Sequence, residues 1–549
     1  MRILWRNLSI QQQIVKKQRG IRLANERDLV MASVNEKKEL ILEKMFVWFQ
    51  KSFKRYKISF LSALIVGALT YMFAFTNKLI NHDEACSLFA KGAGISSGRW
   101  GLDVISFIFP DYSMPWIYGV ISVVLVAIAT CVIVDLFGIR NKILQMLLGG
   151  IIMAFPSLIG TFNYMFTSSA YALAFLFSVI AARLFTKKTV KYKLLALALM
   201  VLSISIYQSY IAVTASLLLL FVIQQLMKEN GKMLGIIRQG ICYILFLGGA
   251  LILYYAITQG ILEITETSLN SYASGSLDLN VYSILSGIKT AYVSFYEEFR
   301  WGNLCLIPTQ FSRIVHIICA IVVGIGFVAI WIKKNIANKV MMIIMLGLLP
   351  LSINCMYLFT ESDAIHTLVL YSFISVYVLA TIVADDALSI DGKNKFTRYC
   401  HRLVGEIVTI AMLLVVICNV YIGNQTYLHL YLKYENAYAF YTSLITEVKM
   451  TPGFDSNSKL ALIGEGGALV HSYSEFDTIK KMSGADGFSV NNYSRDAFIR
   501  NYIGIDIPFA SSSDIEEIKA TSEFDKMEIY PYYGSIEKIG DFIVVKLSE

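Results

Sequence analysis

Apolar runs of roughly 17–22 residues recur along this chain, and no other feature limits its fold as tightly. A run of that length crosses a hydrocarbon core about 30 Å thick. Inside such a core every backbone N–H and C=O must be satisfied within its own segment, so each run is predicted to be a helix. Composition agrees. Of 549 residues, 56% are hydrophobic and 16% charged, against about 25% charged in a typical soluble domain. The charges sit in clusters between the runs. The predicted fold class is a polytopic α-helical membrane protein.

Eleven spans are read from the pattern: 58–75, 115–134, 143–160, 167–182, 194–207, 210–227, 240–257, 314–331, 340–359, 368–384 and 404–422. The stretch 194–227 is too long for one ordinary crossing. Its polar interruption is Tyr207-Gln208-Ser209-Tyr210, and the split is placed there. Lys187, Lys188, Lys191 and Lys193 precede it, and Lys228, Lys232 and Arg238 follow. Both clusters belong on the cytoplasmic side, so the chain must cross twice between them. The remaining loops obey the same rule. Arg140, Lys142, Lys333, Lys334, Lys339, Lys393, Lys395, Arg398 and Arg402 fall inside. Asp83, Glu84, Asp103, Asp111, Glu263, Glu266, Glu297, Glu298, Glu361 and Asp363 fall outside.

Three regions follow. Residues 1–57 are polar and basic, without an early apolar core, so no cleavable signal peptide is expected and the stretch reads as a cytoplasmic extension, helical around 34–49. Residues 58–423 form the membrane domain. Residues 424–549 are expected outside, with a helical pattern to 449 and then a small α/β domain with strands near 460–463 and 542–547. Gly464, Gly466 and Gly467 after the first strand fit a nucleotide loop only weakly; a plain turn is the better reading.

Several function classes drop out. The net charge of +8 marks loops at span ends rather than one basic face, so nucleic acid is not an expected partner. No CxxC pair exists among the eight cysteines, which disfavours a structural zinc site; Cys86 and Cys305 are the pair that would share the outer side. Charge is scarce inside the spans, and no paired broken segments appear, which weighs against a transporter or flippase.

The chemistry is expected in the first outer loop. Asp83 and Glu84 stand side by side shortly after the first span. Acids at a helix start also favour its N-terminal dipole, so on the pattern alone a solvated helix start is the readier reading. The loop continues through Gly92 and Gly94 to Ser96-Ser97-Gly98-Arg99-Trp100-Gly101, where Trp100 fits a membrane interface and Arg99 can reach a lipid phosphate. Outer cations are few: Arg99, Arg300, Arg313 and His366, with Lys289 weaker. Arg300 also has Glu297 at i,i−3 as a local ion-pair partner. Trp100, Tyr207, Gln208, Tyr210, Glu361 and Asp363 are candidates for contacts with sugar or acceptor. Asp83, Glu84, Asp363 and His366 could together ligate a metal, but nothing in their spacing demands one, and no cofactor is predicted.

The Asn81-x-Asp83-Glu84 element, the later Ser-Ser-Gly-Arg-Trp-Gly, Ile206-Tyr207-Gln208-Ser209-Tyr210 and Asn424-Gln425 together resemble the Gtr type II family of glucosyltransferases, over roughly residues 58–440. That family usually carries two aspartates where this chain has Asp83-Glu84, which leaves open which acid works. The resemblance implies a GT-C-like membrane enzyme with a polyprenyl-phosphate–glucose donor, a surface polysaccharide acceptor and inversion at the sugar. A carboxylate would accept the acceptor's proton. Cations would stabilise the leaving phosphate. A polysaccharide polymerase or ligase is the alternative enzyme, and a lipid or polysaccharide flippase the alternative of another class.

Overall fold

The computed structural model describes residues 41–89, 94–110, 112–228, 233–270, 281–332, 334–360, 362–389, 395–455, 457–465, 474–487 and 490–548. Glu361, Asp111, Gly92, Lys232, Lys333, Lys393, Gly466 and Gly467, and residues 34–40 of the expected N-terminal helix, lie outside them. The chain divides into two compact units, Met1–Lys57 and Ile58–Glu549. What is described of the first is helical from Ile41.

Among the described residues nine helices are long and apolar enough to cross a membrane. The bent pair Lys142–Met153 and Pro156–Phe162, 43° apart, brings the number to ten if it forms one span. The bend has a cause in the sequence. Pro156 has no amide to continue the hydrogen-bond ladder and disfavours helical geometry at the residue before it. Phe155 is accordingly extended, at φ −67 and ψ 138.

The predicted span 194–207 lies largely within the helix Val190–Ile206, of 17 residues. At about 1.5 Å per residue it measures about 25 Å, short of the hydrocarbon core. A count of eleven is therefore more than helix length and composition carry. The break expected at 207–210 is present: Tyr207 is extended, and a new helix runs Tyr210–Lys228.

The last of the long apolar helices, Lys395–Met450, has 56 residues, about 84 Å at about 1.5 Å per residue. Its far end meets a three-stranded sheet of β1 (Lys459–Ile463), β2 (Ile536–Ile539) and β3 (Phe542–Lys546), in the order β1-β3-β2. β1 and β3 pair in parallel with Leu460 opposite Ile543 and Leu462 opposite Val545; β2 is antiparallel to β3. Successive side chains on a strand point to opposite faces. Leu460, Leu462, Ile543 and Val545 therefore share one core with Tyr441, Leu444, Ile445 and Val448 of the long helix. Ala461, Ile463 and Val544 share another with Ile518 and Met527.

The first of these cores also takes in Ile80 and Ala85 from the loop after the first span. Residues 424–549 thus do not separate from the membrane helices as a compact unit of their own. The apolar content of β1 and β3 is used on both faces, and the first loop supplies part of the covering.

Candidate active site

Asn81 starts the short helix His82–Cys86 that carries both acids. Its Oδ1 accepts the Glu84 amide at 2.8 Å, an N-cap that satisfies one orphan donor of the first turn. Its Nδ2 donates to Asn163 O, also at 2.8 Å, where the helix Pro156–Phe162 ends. The two acids then part company. Glu84 is fully buried; its Oε1 lies 2.6 Å from Lys78 Nζ, and its Oε2 accepts from the Phe166 amide at 3.4 Å. Lys78 also donates to Ser113 Oγ. Asp83 keeps 41% of its side chain exposed, with His82 Nε2 at 3.7 Å.

The second half of the loop forms one wall of a cavity of about 460 Å³. Arg99, Tyr207, Gln208, Tyr254 and Thr258 give it polar groups; Ile204, Ile211, Leu251 and Ile252 give it apolar ones. Arg99 lies 5.1 Å from the centre of the Tyr207 ring and donates from Nη1 to Tyr171 OH at 3.1 Å. Tyr207 stacks on Tyr171 with centroids 4.4 Å apart. The turn before Arg99 needs a glycine. Gly98 has φ +69, and a Cβ there would come within 2.8 Å of Tyr254 OH. That hydroxyl donates to Gly98 O at 2.8 Å, while Gln208 Nε2 reaches both Tyr254 OH and Ser97 O. Trp100 stands behind this wall, donating from Nε1 to Thr258 Oγ1 at 3.1 Å. Tyr210 is buried among Phe175, Tyr207 and Tyr371 and does not line the cavity.

The four candidate cations separate into two groups. His366 follows Ala364 and Ile365, which line the cavity, and it feels the charge of Arg99. Its Nδ1 is buried without a hydrogen-bond partner among the described residues. Burial holds its imidazole below the usual histidine range; Asp486 pulls it up and Arg99 pushes it down. Arg300 and Arg313 are elsewhere. Arg300 is exposed, with its guanidinium 4.7 Å from the ring of Trp301. No ion pair joins it to Glu297, which takes a bond from Asn303 Nδ2 instead. Arg313 Nη1 donates to Trp301 O at 3.2 Å and Pro308 O at 2.8 Å. It therefore holds a loop. Asp363 is exposed on the turn Ser362–Ala364. Neither Asp83 nor Glu84 lines the cavity. Among the described residues no group of three His, Cys, Asp or Glu side chains is placed to hold a metal ion.

Two features escaped the sequence. Glu298, one of several outer acids by pattern, is buried and accepts three amides, Leu304 at 2.7 Å and Leu306 and Ile307 at 2.8 Å. Burial pushes its carboxyl above the usual range, while those amides and Arg313 pull it down. The other is the segment 481–487. Ser483 O accepts from Asn163 Nδ2 at 2.7 Å, and Ser483 Oγ accepts the Leu368 amide at 3.2 Å. Its only local signal is a Gly484 and a Gly487 flanking Ala485-Asp486, which reads as an ordinary turn.

The family described as Glucosyl transferase GtrII matches residues 72–379. No curated protein matches the chain, and no solved structure does. The matched stretch holds the acid pair, the cavity wall and His366; it stops before the long helix and the sheet.

Proposed function

The chain belongs to the glucosyl transferase GtrII family, and from that premise we propose that it moves glucose from a polyprenyl-phosphate-linked donor to a cell-surface glycan at the outer face of a bacterial cell membrane. Its N-terminus is cytoplasmic and its C-terminus outside, the arrangement that leaves the basic loops inside. The 17-residue helix Val190–Ile206 and the bent pair each count as one crossing, giving eleven. The overall arrangement is GT-C-like.

The observation that supports this most is a cavity lined both by polar groups, Arg99 among them, and by aliphatic side chains, with His366 next in sequence to its lining residues Ala364 and Ile365. An amphiphilic donor needs that combination. The isoprenoid packs along Ile204, Ile211, Leu251 and Ile252. The phosphate meets Arg99, whose fork suits two phosphate oxygens, and His366. Tyr207 and Gln208 face the sugar.

The acceptor hydroxyl attacks the anomeric carbon as the bond from that carbon to the phosphate oxygen breaks, which inverts the centre. The polyprenyl phosphate departs with the bonding pair, its charge held by the cations. The acceptor proton passes to a carboxylate. Asp83 suits that step, because its side chain is open to solvent, whereas Glu84 is committed to Lys78. The helix bearing Asp83 touches Asn163 through Asn81, and Asn163 touches Ser483, in the segment bonded to Thr367 and Leu368 just after His366.

The test is transfer of labelled glucose from polyprenyl phosphate–glucose to acceptor glycan in membranes. Replacing Asp83 by Asn should lower the rate by about 10²–10⁴-fold, the usual worth of a general base. Full activity in Asp83→Asn would sink the assignment of the base, and a native protein indifferent to the lipid donor would sink the donor.

A further inference from the structure

We infer that a second groove, walled by the helices Lys142–Met153, Ile374–Ser389 and the start of Lys395–Met450, binds an anionic phospholipid, with Arg398 and Arg402 on its phosphate. The site shares no residue with the donor cavity, and nothing in it depends on the donor reading.

The groove has a volume of about 570 Å³, and its two ends differ in chemistry. Arg398 and Arg402 line one end and Ile410 the other. From Arg402 to Ile410 the helix rises about 12 Å at about 1.5 Å per residue. The arginines stand where the apolar run 404–422 begins. Ile143 and Ile410, which also line the groove, are 54% and 58% exposed. Cations at the mouth of a span, with aliphatic surface further in, match a lipid's phosphate and the first stretch of its acyl chains. Basic pockets between spans hold anionic headgroups for this reason.

The walls are set before any lipid arrives. Asp385 Oδ1 accepts the amides of Arg140 at 3.1 Å and Asn141 at 2.8 Å. Asn141 Oδ1 accepts those of Ile143 at 2.9 Å and Leu144 at 3.2 Å. The side-chain nitrogen of Asn141, on the groove's lining, donates to no protein group among the described residues, so it can serve a headgroup oxygen. Opposite, the long helix comes close because residue 405 is glycine; a Cβ there would overlap the Leu388 side chain.

One acid also lines the groove. Glu406 Oε1 accepts from Arg402 Nε at 2.7 Å, with 51% and 73% of the two side chains exposed. An exposed pair of this kind is weak, and it occupies Nε alone. The two Nη groups of Arg402 remain for phosphate oxygens, a geometry that suits a guanidinium. Arg398 and Arg402 together outweigh Glu406 by one charge. A zwitterionic headgroup would bring its own ammonium to these arginines; an anionic one would not.

The experiment purifies the full chain in detergent and measures retention of phosphatidylglycerol by native mass spectrometry. Arg398→Gln/Arg402→Gln should weaken it about 30-fold, the worth of two cations at a membrane surface. Glu406→Gln should strengthen it about two- to fivefold by releasing Arg402. Lys187→Gln/Lys188→Gln removes the same charge from another basic loop and should leave the bound lipid in place. All five side chains are exposed, so the variants should fold, and elution on size-exclusion checks this. Equal losses in the two double variants would show a diffuse basic face instead of a site and overturn the inference. So would weaker retention in Glu406→Gln, or equal retention of phosphatidylcholine. Glycerol phosphate bound as tightly as the lipid would make the groove a plain phosphate site. Displacement by polyprenyl phosphate at lower concentration would give it to the carrier lipid, and a dimer that dissociates in Arg398→Gln/Arg402→Gln would give it to a second copy; each of these also overturns it.

Discussion

Lys78 Nζ sits 2.6 Å from Glu84 Oε1, and that contact separates the duties of two adjacent acids. Glu84 has no exposed surface; Lys78 keeps 27% of its side chain in solvent. Breaking a buried pair strands one charge and costs about 3–5 kcal/mol, with the low end apt where one partner is partly wet. Glu84→Gln and Lys78→Met should each lower the thermal midpoint in detergent, and the double variant should recover part of the loss. Asp83→Asn should lower transfer by about 10²–10⁴-fold with the midpoint unchanged. Equal losses of stability in Asp83→Asn and Glu84→Gln would refute this division.

Arg99 is held by a ring on one side and a phenol on the other. Lysine has neither the plane nor the fork. Arg99→Ala should raise donor KM by about 10–100-fold, in line with the loss of a charge-assisted bond worth about 1.5–3 kcal/mol, and Arg99→Lys should recover little of it. A fully active Arg99→Lys would mean that a point charge suffices.

Glu298 is a test of structure rather than of chemistry. Its carboxylate serves three amides of the loop that follows its helix. Unsatisfied buried donors cost about 1–3 kcal/mol each. Glu298→Ala should therefore be severe, visible as loss of folded protein in a detergent thermal-shift assay. Glu298→Gln should be milder, because one oxygen alone accepts both Leu306 and Ile307. A neutral Glu298→Ala would show that the loop finds other partners.

His366 gives a pH dependence with a definite sign. Its imidazole lies below the ordinary 6.5 because of burial, with Asp486 and Arg99 as the opposed charges nearby. Below about pH 6.5 the unfolded chain binds a proton that the folded one resists, so stability should fall on acidification through that window. A donor phosphate favours the charged ring, so donor KM should fall over the same window. His366→Gln should flatten both curves. A native profile identical to that of His366→Gln would remove the residue from the site.

How far the sequence could be read depended on the range of the interaction. Helix positions came from apolar length, which is local, and the break at Tyr207 was visible because polar residues interrupt an apolar run. The kink at Pro156 was also written locally, yet it was read through as part of one span. The 17-residue helix Val190–Ile206 shows where apolar length alone stops deciding. Arg99, Tyr207 and Gln208 stand out in the sequence because they flank span ends, and all three line one cavity. Arg300 and Arg313 looked equivalent to Arg99 by charge and side; only the fold shows one lying over Trp301 and the other holding carbonyls. The contacts of Ser483 and Glu298 depend on partners distant in sequence or on a loop's exact path, and no periodicity records that.

The helix Lys395–Met450 is one unbroken rod from the hydrocarbon region to the sheet. A rod of about 84 Å has no hinge at which one part could turn without the other. Any lean of its lower half, from lipid thickness or a neighbouring helix, swings Lys433 and the carbonyls it grips. The bilayer's own dimensions are thus geared mechanically to the carbonyls of Ala485 and Gly487.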